Sequence, residues 1–351
     1  MTNKGKLSTP GFNKALSAAI LEDIDEYCVN TYDGGHRNHL GGSQIGEECQ
    51  RKLWYIFRWV LKDKMEKEDN TAAENLTNRG RMQRLFQRGH KEEFSFIEYL
   101  EGIGCKVWAD DLNNNVLWYH PESDCYTVES KEHDEEIDLN LVDVSDEEKH
   151  IKRARADGLQ FKQYRISGVN GHFGGSLDGI VKLPERFEID EPLLLEFKTS
   201  ATKGFKDLVK KGVAMSKPVH FAQMSTYGYY YHFTHALYMC VCKETDALHI
   251  EIVKLDHNLG LQMFRKAERI IISQTEPPKL SENETFFKCK WCHFNKICHS
   301  NATTEVNCRS CVNARPIENG EWYCDVNEFA IDKDLMKKGC TNKYKSVNQK
   351  V

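Results

Sequence analysis

The sequence predicts a mixed α/β (α+β) protein, because helical and strand patterns alternate along most of its 351 residues. Apolar residues recur with helical spacing over 11–30, 43–62 and 75–101, which indicates helices that cover a core. Glycines within 164–183 permit the close turns of a hairpin, and the apolar run 193–195 is typical of a buried strand.

The same patterns place the remaining elements and divide the chain. We expect strands over 105–128, a helix over 205–211, a helix over 220–233, strands over 236–243 and 247–255, and a helix over 258–274. The resulting organisation is a helical extension over 1–42, a main domain over 43–300 and a small cysteine-rich tail over 301–351.

Two classes of protein are excluded by the hydropathy of the sequence. No run of about 18 apolar residues occurs, so we expect no membrane span and no membrane partner. Residues 1–14 contain no apolar segment typical of a secretion signal. We therefore expect a cytoplasmic, non-secreted protein; its source in a bacterial or phage-infected cell is an association and does not follow from these patterns.

Charge is distributed unevenly along the chain. The net charge is −5, but residues 129–150 hold ten acidic residues against two lysines, and we interpret them as a surface insertion. The rest of the chain is net positive, with basic clusters over 79–91 and 198–211. Such clusters favour phosphate binding, with Arg84 and Arg88 as candidates, although solvated helix faces explain either cluster equally well.

The main functional candidate is a pair of acids with a lysine. Asp178 stands in the glycine-rich hairpin, and Glu196 and Lys198 follow on the buried strand. Side chains alternate along a strand, so Glu196 and Lys198 point to one face and Phe197 to the other. Burying this set is costly unless it holds a divalent cation that activates water. The alternative, a solvated strand edge, is disfavoured by the apolar run before Glu196.

Three further residues fit the same site. His90 lies in an apolar stripe of the long helix with Phe86 and Phe94, and we expect this stripe to face inward. Its imidazole would be a nitrogen ligand, which favours Mn²⁺ without excluding Mg²⁺; a core histidine is the alternative. Gln223 and Tyr227 share one helix face, where the amide could fix the carboxylate or lysine and the phenol could contact a phosphate. An ordinary polar helix edge is their alternative.

Thirteen cysteines in a chain without a secretion signal indicate metal ligation better than disulfides. A first set comprises Cys49, Cys289, Cys292 and Cys298. The last three are clustered and need a fourth ligand, which the distant Cys49 would supply by closing the two ends of the domain. His293 and His299 are alternatives for that position. Spacing alone does not separate zinc from an iron–sulfur cluster.

A second cysteine set lies in the tail. Its members are Cys308, Cys311, Cys324 and Cys340. The opening Cys-x2-Cys is typical of a small zinc-binding module, although the last gap is long. We interpret the other cysteines as structural; they are Cys28, Cys105, Cys125, Cys240 and Cys242.

Taken together, these residues resemble the RecB-like branch of the PD-(D/E)XK nuclease superfamily, and within it the iron–sulfur exonucleases related to AddB and to the CRISPR-adaptation nuclease. The family order is a cysteine, a helix histidine, Asp, Glu-x-Lys, Gln-x3-Tyr and a cysteine triplet. The matching residues, across 43–300, are Cys49, His90, Asp178, Glu196, Lys198, Gln223, Tyr227, Cys289, Cys292 and Cys298. The acidic insertion and the tail lie outside the resemblance.

The resemblance implies a restriction-endonuclease-like mixed central sheet flanked by helices, with the histidine helix over the metal site. It implies that Mg²⁺ or Mn²⁺ is held by His90, Asp178, Glu196 and the Phe197 backbone carbonyl, with Lys198 orienting or activating water. It also implies a 4Fe–4S cluster, in a structural role, on the first cysteine set.

The activity implied is that of a metal-dependent DNA nuclease, in particular an exonuclease acting on single-stranded DNA or duplex ends in recombination, repair or replication. No P-loop sequence occurs, so a helicase or recombinase would be a separate partner. The alternative from another class is a non-catalytic nucleic-acid-binding or assembly factor that uses this fold as a platform. A redox or regulatory iron–sulfur protein is a third reading.

Overall fold

The computed structural model describes residues 10–32, 35–61, 71–109, 116–120, 125–129, 164–300, 302–340 and 343–348, and the predicted α/β class is confirmed. The helices are α1 (Pro10–Tyr32), α2 (Gln50–Phe57), α3 (Ala72–Gly102), α4 (Thr202–Ser216), α5 (Pro218–Tyr231), α6 (His257–Ile272), α7 (Phe287–Lys290), α8 (Asn295–Ser300) and α9 (Lys333–Lys338). None of these helices is long and apolar enough to cross a membrane.

Thirteen strands accompany the helices in the described ranges. They are β1 (Leu40–Gly41), β2 (Lys106–Trp108), β3 (Val116–His120), β4 (Cys125–Glu129), β5 (Arg165–Gly168), β6 (Phe173–Ser176), β7 (Gly179–Lys182), β8 (Leu193–Ser200), β9 (His235–Cys242), β10 (Leu248–Lys254), β11 (Ala314–Pro316), β12 (Trp322–Cys324) and β13 (Phe329–Ile331). Most of the predicted acidic insertion, after Glu129, lies outside the described residues.

The central sheet is mixed, in the order β10-β9-β8-β7-β2. Strands β8 and β9 run parallel, and the other neighbours are antiparallel. Alternation along β8 divides the core: Leu195 and Phe197 pack under α3, whereas Leu194 and Glu196 face the side that α4 and α5 cover. The predicted separation of Glu196 and Phe197 onto opposite faces is therefore present.

A second, three-stranded sheet has the order β1-β6-β5, and it includes an element that the sequence patterns missed. Leu40 and Gly41 pair in parallel with Phe173 and Gly174. The sequence patterns missed β1 because a strand of two residues in a glycine-rich segment has no periodicity. The pairing ties the segment before α2 to β6, which ends two residues before Asp178.

The predicted inward stripe of α3, which also included Met82 and Ile97, is wrong at Phe86, His90 and Phe94 and correct at Ile97. Phe86 and Phe94 are 42% and 48% exposed, and the buried side chains at this end of the helix include Phe96, Ile97 and Leu100. The helix packs on two different partners, α1 with its first half and the central sheet with its second half. A single apolar stripe cannot contact both α1 and the central sheet, because they lie on different faces of α3.

The first basic cluster has structural partners. Arg84 forms an ion pair with Asp25, which is fully buried on α1. Arg88 donates a hydrogen bond to the Lys243 carbonyl oxygen at 3.0 Å and lies 3.8 Å from the Glu92 carboxylate. These contacts favour a packing role for Arg84 and Arg88 over the phosphate contacts expected from the sequence.

Candidate functional site

The site begins where β7 separates from β8. Gly179, the first residue of β7, pairs with Leu195, and the described β7 supplies no partner beyond that point. The Phe197 N–H donates instead to the Asp178 carboxylate at 2.7 Å. Asp178 therefore replaces a missing strand hydrogen bond, and this fixes its carboxylate at the open edge of β8.

Three oxygen atoms converge at this edge on the Lys198 ammonium group. It forms an ion pair with Glu196 Oε1, donates to the Phe197 carbonyl oxygen at 3.0 Å, and lies 3.8 Å from Asp178 Oδ2. These oxygens belong to the residues expected to hold a divalent cation. The structure thus gathers oxygen atoms of Asp178, Glu196 and Phe197 around the Lys198 ammonium group.

Electrostatics at this cluster reflect its burial. Glu196 is fully buried, and burial raises the pKa of its carboxyl group to about 7; Lys198 opposes this shift and Asp178 adds to it. Burial alone would lower the pKa of Lys198. The charges of Glu196 and Asp178, with a smaller contribution from Glu93, outweigh it and raise that pKa above its ordinary value. Lysine therefore stays charged beside the acids.

Helix α5 supplies Gln223 and Tyr227 to the cluster, as expected. The Gln223 side-chain amide donates to Glu196 Oε2 at 3.1 Å. Tyr227 is 1% exposed, and burial raises the pKa of its phenol, with Glu196 adding to the effect. A Cβ atom at Gly42 would lie 2.7 Å from the Tyr227 ring, and one at Gly175 would meet its hydroxyl group. The phenol is enclosed, so its contact with a phosphate stays a prediction.

His90 is not joined to the acids in the described residues. Its side chain is exposed on α3, and no hydrogen bond or ion pair within the described ranges connects it to Asp178 or Glu196. Helix α3 packs on the Phe197 face of the sheet, opposite to Glu196. Metal ligation by His90 stays a prediction.

Sequence reasoning missed two residues near the cluster. Glu93, one turn after His90 on α3, contributes its charge to Lys198. His220 on α5 lies 3.0 Å from the Tyr238 hydroxyl, and burial with the charge of Lys198 lowers the pKa of its imidazole to about 3. The spacing from His220 to Gln223 was a usable signal, since residues three apart share a helix face.

Helix α4 presents a basic face directly after β8. Lys203, Lys206 and Lys210 are exposed and recur at intervals of three and four residues, which places them on one side of the helix. Lys211 pairs with Asp207 at 2.7 Å and is therefore partly neutralised. The second basic cluster thus retains exposed lysines on the helix that directly follows the strand of Glu196 and Lys198.

The first cysteine set surrounds one cavity of about 320 Å³, as expected from its distribution along the sequence. The lining includes Cys49, Cys289, Cys292 and Cys298, and His299 lies in the same wall. The Cys49 sulfur caps α2 by accepting the Lys52 N–H at 3.4 Å, and Arg51 lies 3.9 Å from the Cys298 sulfur. All four cysteines are free thiols.

The tail cysteines Cys308, Cys311, Cys324 and Cys340 line a second, smaller cavity of about 100 Å³. Across the described ranges, no three His, Cys, Asp or Glu side chains are already arranged as ligands of a single ion. Of the cysteines interpreted as structural, Cys28, Cys105, Cys240 and Cys242 are buried free thiols. The side chain of Cys125 lies outside the described residues.

No protein-family model and no curated protein sequence matches the chain. A weakly similar solved structure, titled "Crystal structure of SSO0001", has 14% identity and a TM-score of 0.37, over 83% of this chain and 100% of that one. An exonuclease titled "Crystal Structure of LHK-Exo in complex with dAMP" has 14% identity and a TM-score of 0.33, over 66% of this chain and 86% of that one. Similarities this weak carry no argument, so function is argued from the site itself.

The enclosure of Tyr227 gives a testable packing contact. We expect Gly175→Ala to lower the free energy of unfolding by roughly 1–3 kcal/mol, because its methyl group would meet the Tyr227 hydroxyl group. Adding Tyr227→Phe should recover part of this loss, since the hydroxyl oxygen is the nearest atom. Denaturant unfolding of both single variants and the double variant measures the coupling.

Gly89→Ala is the matched control for this cycle, since no atom lies within 4 Å of its added carbon. It should leave the free energy of unfolding unchanged or slightly increased. Strictly additive effects of Gly175→Ala and Tyr227→Phe would contradict the contact.

Proposed function

We propose that the protein is a metal-dependent nuclease that hydrolyses phosphodiester bonds in DNA. The observation that carries this proposal is the convergence of oxygens from Asp178, Glu196 and Phe197 on one positive charge at an open strand edge. Carboxylate and carbonyl oxygens are the ligands that Mg²⁺ and Mn²⁺ prefer. The position of the Lys198 ammonium group shows that these oxygens together favour a positive charge.

The donor set fits such an ion in chemistry and in charge. Two carboxylates face a single ammonium, and Glu93 adds negative charge nearby, so the site carries an excess that a divalent cation would balance. Bound there, Mg²⁺ or Mn²⁺ would lower the pKa of a water molecule and screen the charge of the phosphate. The His90 imidazole is an additional proposed ligand.

The chain's own residues have separate tasks in this proposal. The Phe197 N–H holds the Asp178 carboxylate, and the Gln223 amide holds Glu196, so both acids are oriented before substrate arrives. Lys198 stays protonated and would stabilise negative charge that develops on the phosphate and the attacking oxygen. These fixed groups would favour the transition state without reorganisation.

The basic face of α4 supports a polyanionic substrate. Lys203, Lys206 and Lys210 would contact backbone phosphates, which positions a strand without reading its sequence. We extend the proposal to an exonuclease that acts on single-stranded DNA or duplex ends in recombination, repair or replication. The order of the matching residues along the chain, which resembles that of the RecB-like exonucleases, supports this finer activity. A separate helicase or recombinase would be its partner, since the sequence contains no P-loop.

Neutralising the acids tests the catalytic proposal. Glu196→Gln and Asp178→Asn should each lower cleavage of labelled DNA by on the order of 10²–10³-fold or more, because the cation loses a charged ligand. Asp178→Asn keeps an oxygen for the Phe197 N–H, and Glu196→Gln keeps one oxygen for either Gln223 or Lys198, so circular dichroism checks that each variant is folded. The assay compares no metal, Mg²⁺ and Mn²⁺ on single- and double-stranded DNA.

The control for this assay is Glu191→Gln, an exposed carboxylate that pairs with His235 just before β8. It should cleave at the wild-type rate. Metal-independent cleavage, or full activity in Glu196→Gln, would refute the catalytic site. Wild-type protein that binds DNA but never cleaves it would favour the assembly-factor alternative.

Removing the basic face tests the substrate proposal. The triple variant Lys203→Gln, Lys206→Gln, Lys210→Gln should raise KM with little change in kcat, because these lysines contact phosphates remote from the reacting one. The slope of log affinity against log salt should fall by about 0.7 for each lost contact on single strands. DNA-binding titrations at several salt concentrations measure that slope.

A control with the same change in charge is available on α9, where Lys333, Lys337 and Lys338 are exposed. Replacing these three by glutamine should leave KM and the salt slope near wild type. Equal effects from the two triple variants would show that net charge alone, rather than a binding face, governs affinity.

The cavity of the first cysteine set fits the proposed 4Fe–4S cluster. Its volume of about 320 Å³ is three times that of the tail cavity, and a cubane is larger than a single ion. Burial raises the pKa values of Cys289, Cys292 and Cys298, so a metal is needed to favour their thiolates. When bound, the cluster would join α2 to the segment after α6.

Replacing one proposed cluster ligand tests this assignment. Cys289→Ser should remove bound iron and sulfide, with the visible absorbance, and lower the melting temperature, because the clasp closes a very long loop. Cys105→Ala is the control, since this buried thiol belongs to neither cysteine set. A colourless wild-type protein with stoichiometric zinc at this set would reject the cluster and leave the nuclease proposal standing.

A further inference from the structure

The tail brings its four cysteines to one small cavity. Cys308 and Cys311 flank a turn closed by the Cys311 N–H, which donates to the Cys308 carbonyl oxygen at 3.1 Å. Cys324 ends β12, and Cys340 follows α9. All four are free thiols on the walls of the same cavity of about 100 Å³. Three separate chain segments therefore meet at sulfur.

The chemistry of this cavity favours one zinc ion. Four cysteine sulfurs are the ligands of structural Zn²⁺ sites, and here all four line one cavity of about 100 Å³. The side chains are not yet at ligand spacing, so they would rotate inward across the cavity they line.

The tail has little secondary structure of its own, and its buried apolar side chains belong to the core of the main domain. Its sheet has three strands of three residues each, and its helix α9 has six residues. Among the residues 302–340 and 343–348 that the structure describes, the buried apolar ones are Cys311, Ala314, Trp322, Ile331, Met336 and Val347. Modules of this size usually need a metal or disulfides to fold, and these cysteines are free.

The turn between the first two cysteines also docks the tail. Arg309 lies inside this turn, is fully buried, and stands 4.5, 4.4 and 4.7 Å from the ring centroids of Phe57, Trp59 and Trp322. Its guanidinium donates to the Asn38 carbonyl oxygen at 3.1 Å. Burying an arginine is costly, so the backbone that presents it has to be held firmly.

We propose that Cys308, Cys311, Cys324 and Cys340 bind one structural Zn²⁺, and that this ion fixes the turn whose Arg309 pins the tail to the main domain. The inference does not rest on the nuclease proposal. Zinc occupancy and docking of the tail are then linked, because the same four-residue turn supplies two ligands and the buried arginine.

The test uses the full-length protein and measures zinc and iron together. Wild type should contain about one zinc per chain in the tail. Cys340→Ser should weaken zinc binding by more than the roughly 10–100-fold that loss of an outer partner costs, with iron unchanged. Hydrogen exchange and limited proteolysis should show the tail opening at least tenfold more readily, while residues 164–300 stay protected.

Two further variants separate the parts of the proposal. Arg309→Met should keep zinc and still loosen the tail, whereas the control Cys240→Ala, outside both sets, should change neither zinc content nor tail protection. If Cys340→Ser is insoluble, chelation of wild type should release zinc and tail protection together. Soluble, folded wild type without zinc, or zinc retained in Cys340→Ser and lost only in Cys289→Ser, would overturn the inference.

Discussion

The candidate site depends on one interruption of hydrogen bonding in the central sheet. Strand β7 begins at Gly179 and leaves the edge of β8 beside Phe197 to the Asp178 carboxylate. Had β7 continued, a strand N–H or carbonyl would occupy the position of this carboxylate. The same interruption frees the Phe197 carbonyl oxygen for Lys198. The Asp178 carboxylate and the Phe197 carbonyl oxygen thus become available together because the pairing of β7 with β8 stops at Gly179.

The surrounding fold serves to hold that edge in place. Helix α5 fixes Glu196 through Gln223, and Tyr227 fills the space between Gly42 and Gly175. Only glycines fit beside this phenol, so the loop before α2 and strand β6 approach each other closely. The small β1-β6-β5 sheet is therefore part of the support of the acidic cluster.

Helix α2 links distant parts of the chain although it is only eight residues long. Cys49 caps its first turn and faces the larger cysteine cavity. At its other end Arg58 is fully buried and donates to the Ala314 carbonyl oxygen in the tail at 2.7 Å. Lys266 of α6 ties the loop before the helix through the Ile45 carbonyl oxygen at 2.8 Å. Residues more than two hundred positions apart in sequence are thus in contact at this short helix and the loop before it.

The sequence predicted the features that depend on neighbouring residues and missed those that depend on tertiary contacts. Glu196 and Phe197 were separated correctly because strand alternation is a local rule that burial on both faces does not change. The inward stripe through Phe86 and Phe94 was wrong because α3 has two packing partners, which only the tertiary structure reveals. Glu93 gave no signal, since an acid on a helix ordinarily faces water.

Charge balance supports the proposed metal site over a packing role for the acidic cluster. A buried ion pair such as Glu196 with Lys198 contributes little net stability, because desolvation offsets the attraction. Asp178 adds a second negative charge within 3.8 Å of the same ammonium, and burial already raises the Glu196 pKa to about 7. A core selected only for stability would replace these groups by apolar side chains of similar size. Two acids for one base fit the proposed role, in which the excess negative charge would hold a divalent cation against a phosphate.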